Sequence, residues 1–421
     1  MESDDLLFTA GVDWASQKHD ACLFNSRGVV LAERSFTHDA EGLNALADWL
    51  LEATGVPAQA IGVAIEVPHG PVVEGLMERG FCVFSINPKQ LDRFRDRFSP
   101  AGAKDDKRDA RVLGHSLRTD RPAFRLLSPL EPLIVELREW SRIAENFTKE
   151  RVRLVNRLRD QLWRYFPQVI GLNDDLAADW ILSLLMLAPT PERGRRVRKA
   201  AIETLLKRHR IRRIGAEGVL AVLRRNGLNL APGTVEAASA HVKILVEQLQ
   251  RLNHNIAKAE HRLDEIMAAL AEQGESAAEG DEGAGQRDVT ILRSLPGIGR
   301  TVGATLLAEA SEPLRRRDYH ALRCLSGVAP VTKRSGKTML VQRRRAANPR
   351  LVAALYHWAR VAAQHDPRSR AKYAALRQRG HSHPRALRSV GDRLLLVACK
   401  MLETQTDFDR AHDTKRSDHS Q

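Results

Sequence analysis

Carboxylates at four positions in the first quarter of the chain are candidates for metal chemistry. Asp13 lies within an apolar run that predicts a β-strand, and Glu66 ends a second such run. A carboxylate is costly to place in a sheet unless a cation neutralises it. Asp106 and Asp109 share one face of a predicted helix because they are three residues apart. If the helix packs on the sheet, the four acids converge. Two Mg²⁺ ions would then offset their repulsion, in the arrangement used to cleave phosphodiesters.

Each acid also has a simpler interpretation. Residues 105–109 stand among Lys104, Lys107, Arg108 and Arg111, which fits a solvated helix with ordinary ion pairs. Asp13 and Glu66 fit turn or capping positions as well. The presence of all four acids in one α/β segment of a basic chain favours the metal site.

A serine in a strongly basic segment is the second candidate. Between Leu314 and Arg350 there are eleven Lys or Arg residues and one acid, Asp318. This density predicts a surface that binds phosphates, formed by Lys333, Arg334, Lys337, Arg343, Arg344 and Arg345. Ser335 lies among them. A serine hydroxyl needs electrostatic activation to act as a nucleophile, so by chemistry alone a phosphate contact is the commoner role.

The segment 295–299, Leu-Pro-Gly-Ile-Gly, predicts a hairpin between two helices. Gly297 and Gly299 would let backbone N–H groups approach a phosphate, and the helix that begins near Arg300 would favour the anion. Such a helix–hairpin–helix binds the DNA backbone without reading its sequence. A plain helix–turn–helix corner is the alternative.

The elements that must position these residues follow from the pattern of apolar residues. Residues 1–120 alternate strands and helices after an opening β-meander, which predicts a mixed sheet covered by helices. The predicted helices after the meander are 40–51, 71–79, 88–98 and 104–117, and two further predicted strands are 60–66 and 81–86.

Residues 121–272 are predicted to be helical, beginning with a long helix over 133–166. Shorter helices over 174–230 carry a basic patch at 193–213, a possible contact for RNA or DNA. Apolar residues then recur in heptads from Val242 to Leu270. This seam predicts either a coiled coil between subunits or a hairpin with 133–166 in the same chain.

The composition of 273–287 predicts a flexible linker. It is followed by a mostly helical C-terminal domain over 288–406. The polar tail 407–421 is predicted to be disordered.

Composition narrows the class of protein. The chain has 421 residues, 43% of them hydrophobic, and a net charge of +14, so a polyanion is the expected partner. No apolar run reaches the length of a membrane span, and the acidic N-terminus has no signal-peptide pattern. The four cysteines lie far apart, which argues against a zinc cluster or disulfides and fits the cytoplasm.

Taken together, these motifs resemble the DEDD transposases of the insertion sequence 110 group. The resemblance rests on Gly-Val-Asp at 11–13, Ile-Glu at 65–66, Lys-Asp-Asp-Lys-Arg-Asp-Ala at 104–110, and Leu-Pro-Gly-Ile-Gly with its downstream Ser-Gly. It covers about 1–120 and 288–400.

The resemblance implies an RNase H-like (RuvC-like) domain in which Asp13, Glu66, Asp106 and Asp109 bind Mg²⁺. It also implies a C-terminal transposase domain in which Ser335 attacks DNA to form a phosphoserine link. In that family, sites from different subunits are joined through the coiled coil, in a dimer or tetramer. A structured guide RNA bridges donor and target DNA by base pairing.

Two features differ from the family pattern. Asp105 stands where the family usually has Thr or Ser, so Asp105 is an alternative to Asp106 as a metal ligand, and the segment 174–230 is longer than expected. The leading interpretation is an RNA-guided DNA recombinase. The alternatives are a Mg²⁺-dependent junction nuclease that uses water, and a nucleic-acid-binding scaffold without catalysis.

Overall fold

The computed structural model describes residues 6–98, 105–231, 233–277, 287–336 and 338–408. The chain divides into two compact units, Met1–Glu131 and Pro132–Gln421. Within the described ranges, no helix combines the length and the apolar character needed to span a membrane.

The first unit is built on one mixed sheet in the order β3-β2-β1-β4-β5-β6. β1 pairs antiparallel with β2 and parallel with β4. The predicted meander and mixed sheet are therefore confirmed, and the two-residue β6, too short to give a sequence pattern, is additional. The strands are β1 (Phe8–Trp14), β2 (Lys18–Asn25), β3 (Val30–Thr37), β4 (Ile61–Ile65), β5 (Cys82–Ser85) and β6 (Arg125–Leu126).

Two helices cover each face of this sheet, namely α1 (Ala40–Thr54) and α2 (Pro71–Glu78) on one side, and α3 (Pro88–Phe98) and α4 (Asp106–Thr119) on the other. α4 lies very close to β1, because a Cβ at Gly11 would overlap the carbonyl oxygen of Ala110. A Cβ at Gly114 would lie 2.7 Å from the backbone nitrogen of Gly11. This pair of glycines therefore sets how α4 lies on the sheet.

The second unit is mostly helical. Its helices are α5 (Pro132–Tyr165), α6 (Asp179–Leu187), α7 (Pro191–Arg196), α8 (Lys199–Arg208), α9 (Ala216–Leu223), α10 (Thr234–Ala277), α11 (Asp288–Ser294), α12 (Arg300–Glu309), α13 (Ser311–Arg315), α14 (Tyr319–Leu325), α15 (Pro349–His365), α16 (Pro367–Gln378) and α17 (His383–Thr404). A hairpin of two strands, β7 (Val331–Ser335) and β8 (Thr338–Gln342), interrupts them.

The heptad seam of α10 is buried against α5 of the same chain. Val242 and Leu249 pack with Leu158 towards one end, and Leu263 packs with Leu137 towards the other, so the two helices are antiparallel. Of the two contacts predicted for this seam, the structure shows the hairpin within the chain, because α5 supplies a matching apolar face.

The α5–α10 hairpin links two hydrophobic cores. Residues 166–231, here called the helical lobe, share a core with one end of the hairpin, and the helices after 287 share a core with the other end. α10 runs to Ala277, five residues into the predicted linker. Residues 278–286 of that linker and 409–421 of the predicted tail lie outside the described residues.

Candidate active site

Asp13 and Glu66 lie at the same edge of the sheet. Asp13 is the penultimate residue of β1, and Glu66 directly follows β4. The two strands are parallel, with Val12 aligned to Ile65, so the next step along each strand brings these acids side by side. The alignment of β1 and β4 therefore brings together two of the four predicted acids.

The first turn of α4 supplies the other half. Asp106 is its first residue, and Asp109 lies one turn later with no exposed surface. The close approach of α4 to β1 at Gly11 holds this turn against the sheet. Both acids of the Asp106–Asp109 pair belong to the same unit as Asp13 and Glu66.

The charges of the other three acids act on Asp13. The pKa of Asp13 is raised from its ordinary 3.8 to about 7, first by burial and then by the charges of Asp109, Asp106 and Glu66. Asp105 does not contribute to this shift; it is exposed and precedes the helix, and its charge acts on Arg111. Of the two alternatives for the third acid, Asp106 is the one whose charge raises the pKa of Asp13.

Arg95 of α3 occupies part of this site. Its Nε lies 2.6 Å from Oδ1 of Asp109 and its Nη2 lies 2.7 Å from Oδ2, while its Nη1 lies 2.5 Å from Asp92. Its charge also lowers the pKa of Asp13, against the effect of the three acids. The sequence analysis did not identify Arg95, because nothing in the pattern of helix 88–98 sets it apart from its neighbouring arginines.

A fifth acid, Asp20, lies directly opposite Asp13 in the register of β1 and β2. It is 3% exposed, accepts a hydrogen bond from the Ser35 hydroxyl, and lies 3.2 Å from the Lys18 ammonium. Its position on β2 could have been found from the predicted meander, where it faces Asp13 across the turn.

The carboxylates of the four acids are suitable ligands for a divalent metal, because carboxylate oxygens favour hard cations. Among the described residues, however, no three His, Cys, Asp or Glu side chains are already grouped as ligands. The bidentate pair with Arg95 accounts for this at Asp109, whose two oxygens are both engaged. Arg95 therefore competes with a cation for Asp109.

Ser335 lies in the second unit, at the end of β7. It pairs with Thr338 of β8 across the turn at Gly336, which has a φ of +55°. The side chain of Ser335 is exposed, as are those of Lys333 and Arg334 on the same strand. Lys337 lies outside the described residues.

Uncompensated positive charge follows the last residue of β8, at the opposite end of the hairpin from Ser335. Arg343, Arg344 and Arg345 follow β8, and within the described residues none of the three forms an ion pair. The pKa of the Arg388 guanidinium on α17 is lowered by burial and then by the charges of Arg343 and Arg385. Such repulsion favours a bound anion, and the two arginines of α17 were not found from sequence.

The turn at 295–299 joins α11 to α12, as predicted. Gly297 has a φ of +85°, and a Cβ there would lie 2.9 Å from the Ala362 nitrogen of α15. Gly299 precedes α12 in open space. Arg300 lies 2.6 Å from Asp264 and 3.1 Å from Glu260, so two acids of α10 already neutralise it.

Comparison with known proteins identifies both parts of the chain. A transposase family model, DEDD of the IS110 type, matches residues 10–167, and Transposase IS116/IS110/IS902 family matches residues 289–374. The first match implies an RNase H-like fold, a divalent metal, and DNA as a partner.

Three relatives are similar to this chain. The Mini-circle putative transposase for IS117 of Streptomyces coelicolor is 32% identical, over 97% of each chain. Putative transposase y4uE of Sinorhizobium fredii is 58% identical over 49% of this chain and 58% of its own length. An uncharacterized 44.8 kDa protein of insertion element IS116 from Streptomyces clavuligerus is 26% identical over 94% of this chain and 95% of its own. The chain belongs to the IS110 family of transposases.

Proposed function

We propose that this transposase cuts and rejoins DNA strands through a phosphoserine intermediate at Ser335, with Mg²⁺ bound by Asp13, Glu66, Asp106 and Asp109. The observation that carries the proposal is the pKa of Asp13, raised to about 7 by burial and by the other three acids. Such a field of like charges favours a divalent cation.

The acids would hold the metal once Asp109 has released Arg95. When bound, Mg²⁺ would neutralise charge on the phosphate and on the leaving oxygen. The released Arg95 guanidinium stays tethered on α3, beside Asp92. There it is available to bind an oxygen of the DNA backbone, as arginine does in bidentate phosphate contacts.

Ser335 would carry out the covalent step. Its Oγ attacks the phosphorus and loses its proton to a base, a P–Oγ bond forms, and the bond to the departing deoxyribose oxygen breaks as that oxygen takes a proton. The phosphoserine link is itself a phosphodiester, so the free energy of the broken bond is conserved. The hydroxyl of another strand can therefore attack its phosphorus, release Ser335 and rejoin the DNA. The exposed Lys333 and Arg334, on the same strand as Ser335, support a phosphate at this place. The repulsion among Arg343, Arg385 and Arg388 supports a second phosphate contact near the opposite end of the hairpin.

The proposed partners are donor and target DNA, a guide RNA and further subunits. Donor and target DNA would contact the turn at Gly297 and Gly299 as a helix–hairpin–helix, together with Lys333, Arg334, Lys337, Arg343, Arg344 and Arg345. Because Arg300 is engaged by Asp264 and Glu260, it would bind phosphate only after releasing them. A structured guide RNA would select sequence, the first unit would be RuvC-like, and subunits of a dimer or tetramer would each contribute part of the site.

The test is covalent trapping on denaturing gels with end-labelled donor DNA and Mg²⁺. Wild type should give a protein-linked band, and Ser335→Ala should give none. Thr332→Val, which removes an exposed hydroxyl from the same strand, should keep the band. Cleavage without any adduct would indicate a hydrolytic nuclease instead. Binding that persists without cleavage, unchanged by Asp13→Asn, would indicate a scaffold.

A further inference from the structure

The helical lobe carries more basic side chains than its own acids and other internal contacts neutralise. Between residues 191 and 225 there are twelve Lys or Arg residues and three acids. Arg196 pairs with Glu192, Lys199 pairs with Glu217, and Arg213 is held by the Leu172 carbonyl and the Trp180 ring.

In the described part of the chain, the other nine bases of this segment form no ion pair. All nine are exposed, on a lobe whose buried core is shared with α5 and α10. They are Arg193, Arg195, Arg198, Lys207, Arg208, Arg210, Arg212, Arg224 and Arg225.

Several of these bases belong to segments that pack against the C-terminal end of α5. Tyr165 donates a hydrogen bond to the Pro189 carbonyl at 2.8 Å, immediately before α7. Gln168 donates to the Asn226 carbonyl at 2.6 Å, after α9. A Cβ at Gly194 of α7 would lie 3.1 Å from the Phe166 ring. The last turn of α5, helix α7 and the turn at 224–227 are therefore neighbours.

Trp163 lies in this neighbourhood with 71% of its surface exposed. It lies three residues before Phe166, whose ring packs against Gly194 of α7. Four unpaired bases, Arg193, Arg195, Arg224 and Arg225, belong to these two segments. Asp160, one turn earlier on α5, is the nearest acid along the helix.

We propose that this end of the lobe binds single-stranded nucleic acid. The arginines would contact backbone phosphates, and Trp163 would stack on an unpaired base. Single strands fit better than a duplex, because only an unstacked base presents its face to an aromatic ring. Exposed indole surface beside unneutralised guanidinium groups is the combination that such sites use. The binding goes beyond the strand chemistry proposed above and does not depend on it.

The test uses the full-length protein in buffer without divalent metal, so that no strand is cut. Fluorescence anisotropy is measured with unfolded 20-nucleotide RNA and DNA strands of one sequence and with the corresponding DNA duplex, from 50 to 200 mM salt. Wild type should bind the strands more tightly than the duplex. Binding of either strand supports the proposal, and the ratio of the two affinities identifies RNA or DNA as the source.

Charge and stacking are then separated by variants. The quadruple variant Arg193→Gln, Arg195→Gln, Arg224→Gln, Arg225→Gln should reduce the slope of log affinity against log salt by about 3. Over this salt range wild type should lose about 50-fold more affinity than the variant. The double variant Arg196→Gln, Lys199→Gln removes bases that are already paired and should change the slope by less than about 1.

Trp163→Ala should weaken binding of single strands roughly 5- to 150-fold and leave the salt slope unchanged. An abasic strand should bind wild type and this variant equally. The proposal is overturned if the quadruple variant keeps the wild-type slope for single strands, or if Trp163→Ala weakens duplex binding as much as single-strand binding. A change of oligomeric state in Trp163→Ala without loss of binding would also overturn it, by assigning the surface to a subunit contact.

Discussion

Arg95 donates hydrogen bonds from Nε and Nη2 to both carboxylate oxygens of Asp109. Asp109 is one of the four acids proposed to bind the divalent metal of this family. Asp109 is fully buried, whereas the Arg95 side chain is 22% exposed. The arginine therefore acts as the internal counter-ion of the acid cluster while no metal is present.

Replacing Arg95 by glutamine should destabilise the metal-free protein by about 3–5 kcal/mol, because it leaves a buried carboxylate without a partner. Arg97→Gln is the matched control, since Arg97 pairs with Asp120 at a partly exposed position on the same helix. Its cost should stay below about 1 kcal/mol. Urea unfolding in EDTA measures both values, and equal costs would show that the Arg95 pair is not buried in solution.

The same variant should bind Mn²⁺ or Mg²⁺ more tightly than wild type, because the metal no longer competes with a guanidinium for Asp109. Direct Mn²⁺ binding, followed by electron paramagnetic resonance, measures this without any DNA reaction. If neither protein binds metal, the metal site itself is wrong. If both bind with equal affinity, only the competition by Arg95 is wrong.

Metal affinity should depend on the protonation of Asp13. Its pKa of about 7 in the metal-free fold lies above the unfolded value of 3.8, so the folded protein holds this proton more strongly. This group's contribution to stability is therefore complete below pH 4 and is lost as the pH rises to 7. A metal must displace the proton, and affinity should fall about tenfold per pH unit below 7.

Calorimetry at pH 6 in two buffers of different ionisation enthalpy should detect about one proton released per site. Asp13→Asn should abolish that release. Asp48→Asn, at an exposed acid paired with Arg79, should retain it. Proton release that survives in Asp13→Asn would assign the titration to another acid of the cluster.

Gly11→Ala should destabilise the first unit by at least about 2 kcal/mol, because its Cβ would overlap backbone atoms of Ala110 and Gly114. Gly75→Ala makes the same chemical change inside α2, where nothing lies within 4 Å, and should instead stabilise by about 0.5–1 kcal/mol. Thermal unfolding distinguishes the two directions. A neutral Gly11→Ala would mean that α4 does not lie so close to β1.

These sites show which features can be predicted from sequence and which depend on packing. Asp13 and Glu66 interrupt or end apolar runs, so their strands, and hence their common edge, could be predicted. Arg95 could not, because its role depends on α3 packing beside α4. The β7–β8 hairpin was missed for another reason. Nearly all its residues are exposed, so its strands lack the alternation of apolar and polar residues that marks a half-buried strand.

Substitutions in the heptad seam of α10 distinguish the two contacts that its spacing permits, namely packing on α5 of the same chain and packing between subunits. Leu249→Ala removes a side chain with no exposed surface and should cost about 2–5 kcal/mol. Ile244→Ala, on the same helix but 54% exposed, should cost less than about 0.5 kcal/mol. If the seam packs on α5 of its own chain, Leu249→Ala lowers the urea midpoint at every protein concentration and leaves the sedimenting mass unchanged. If the seam instead joins subunits, the loss of stability must depend on concentration and the mass must fall. Only the first result is compatible with Val242, Leu249 and Leu158 sharing one core within the chain.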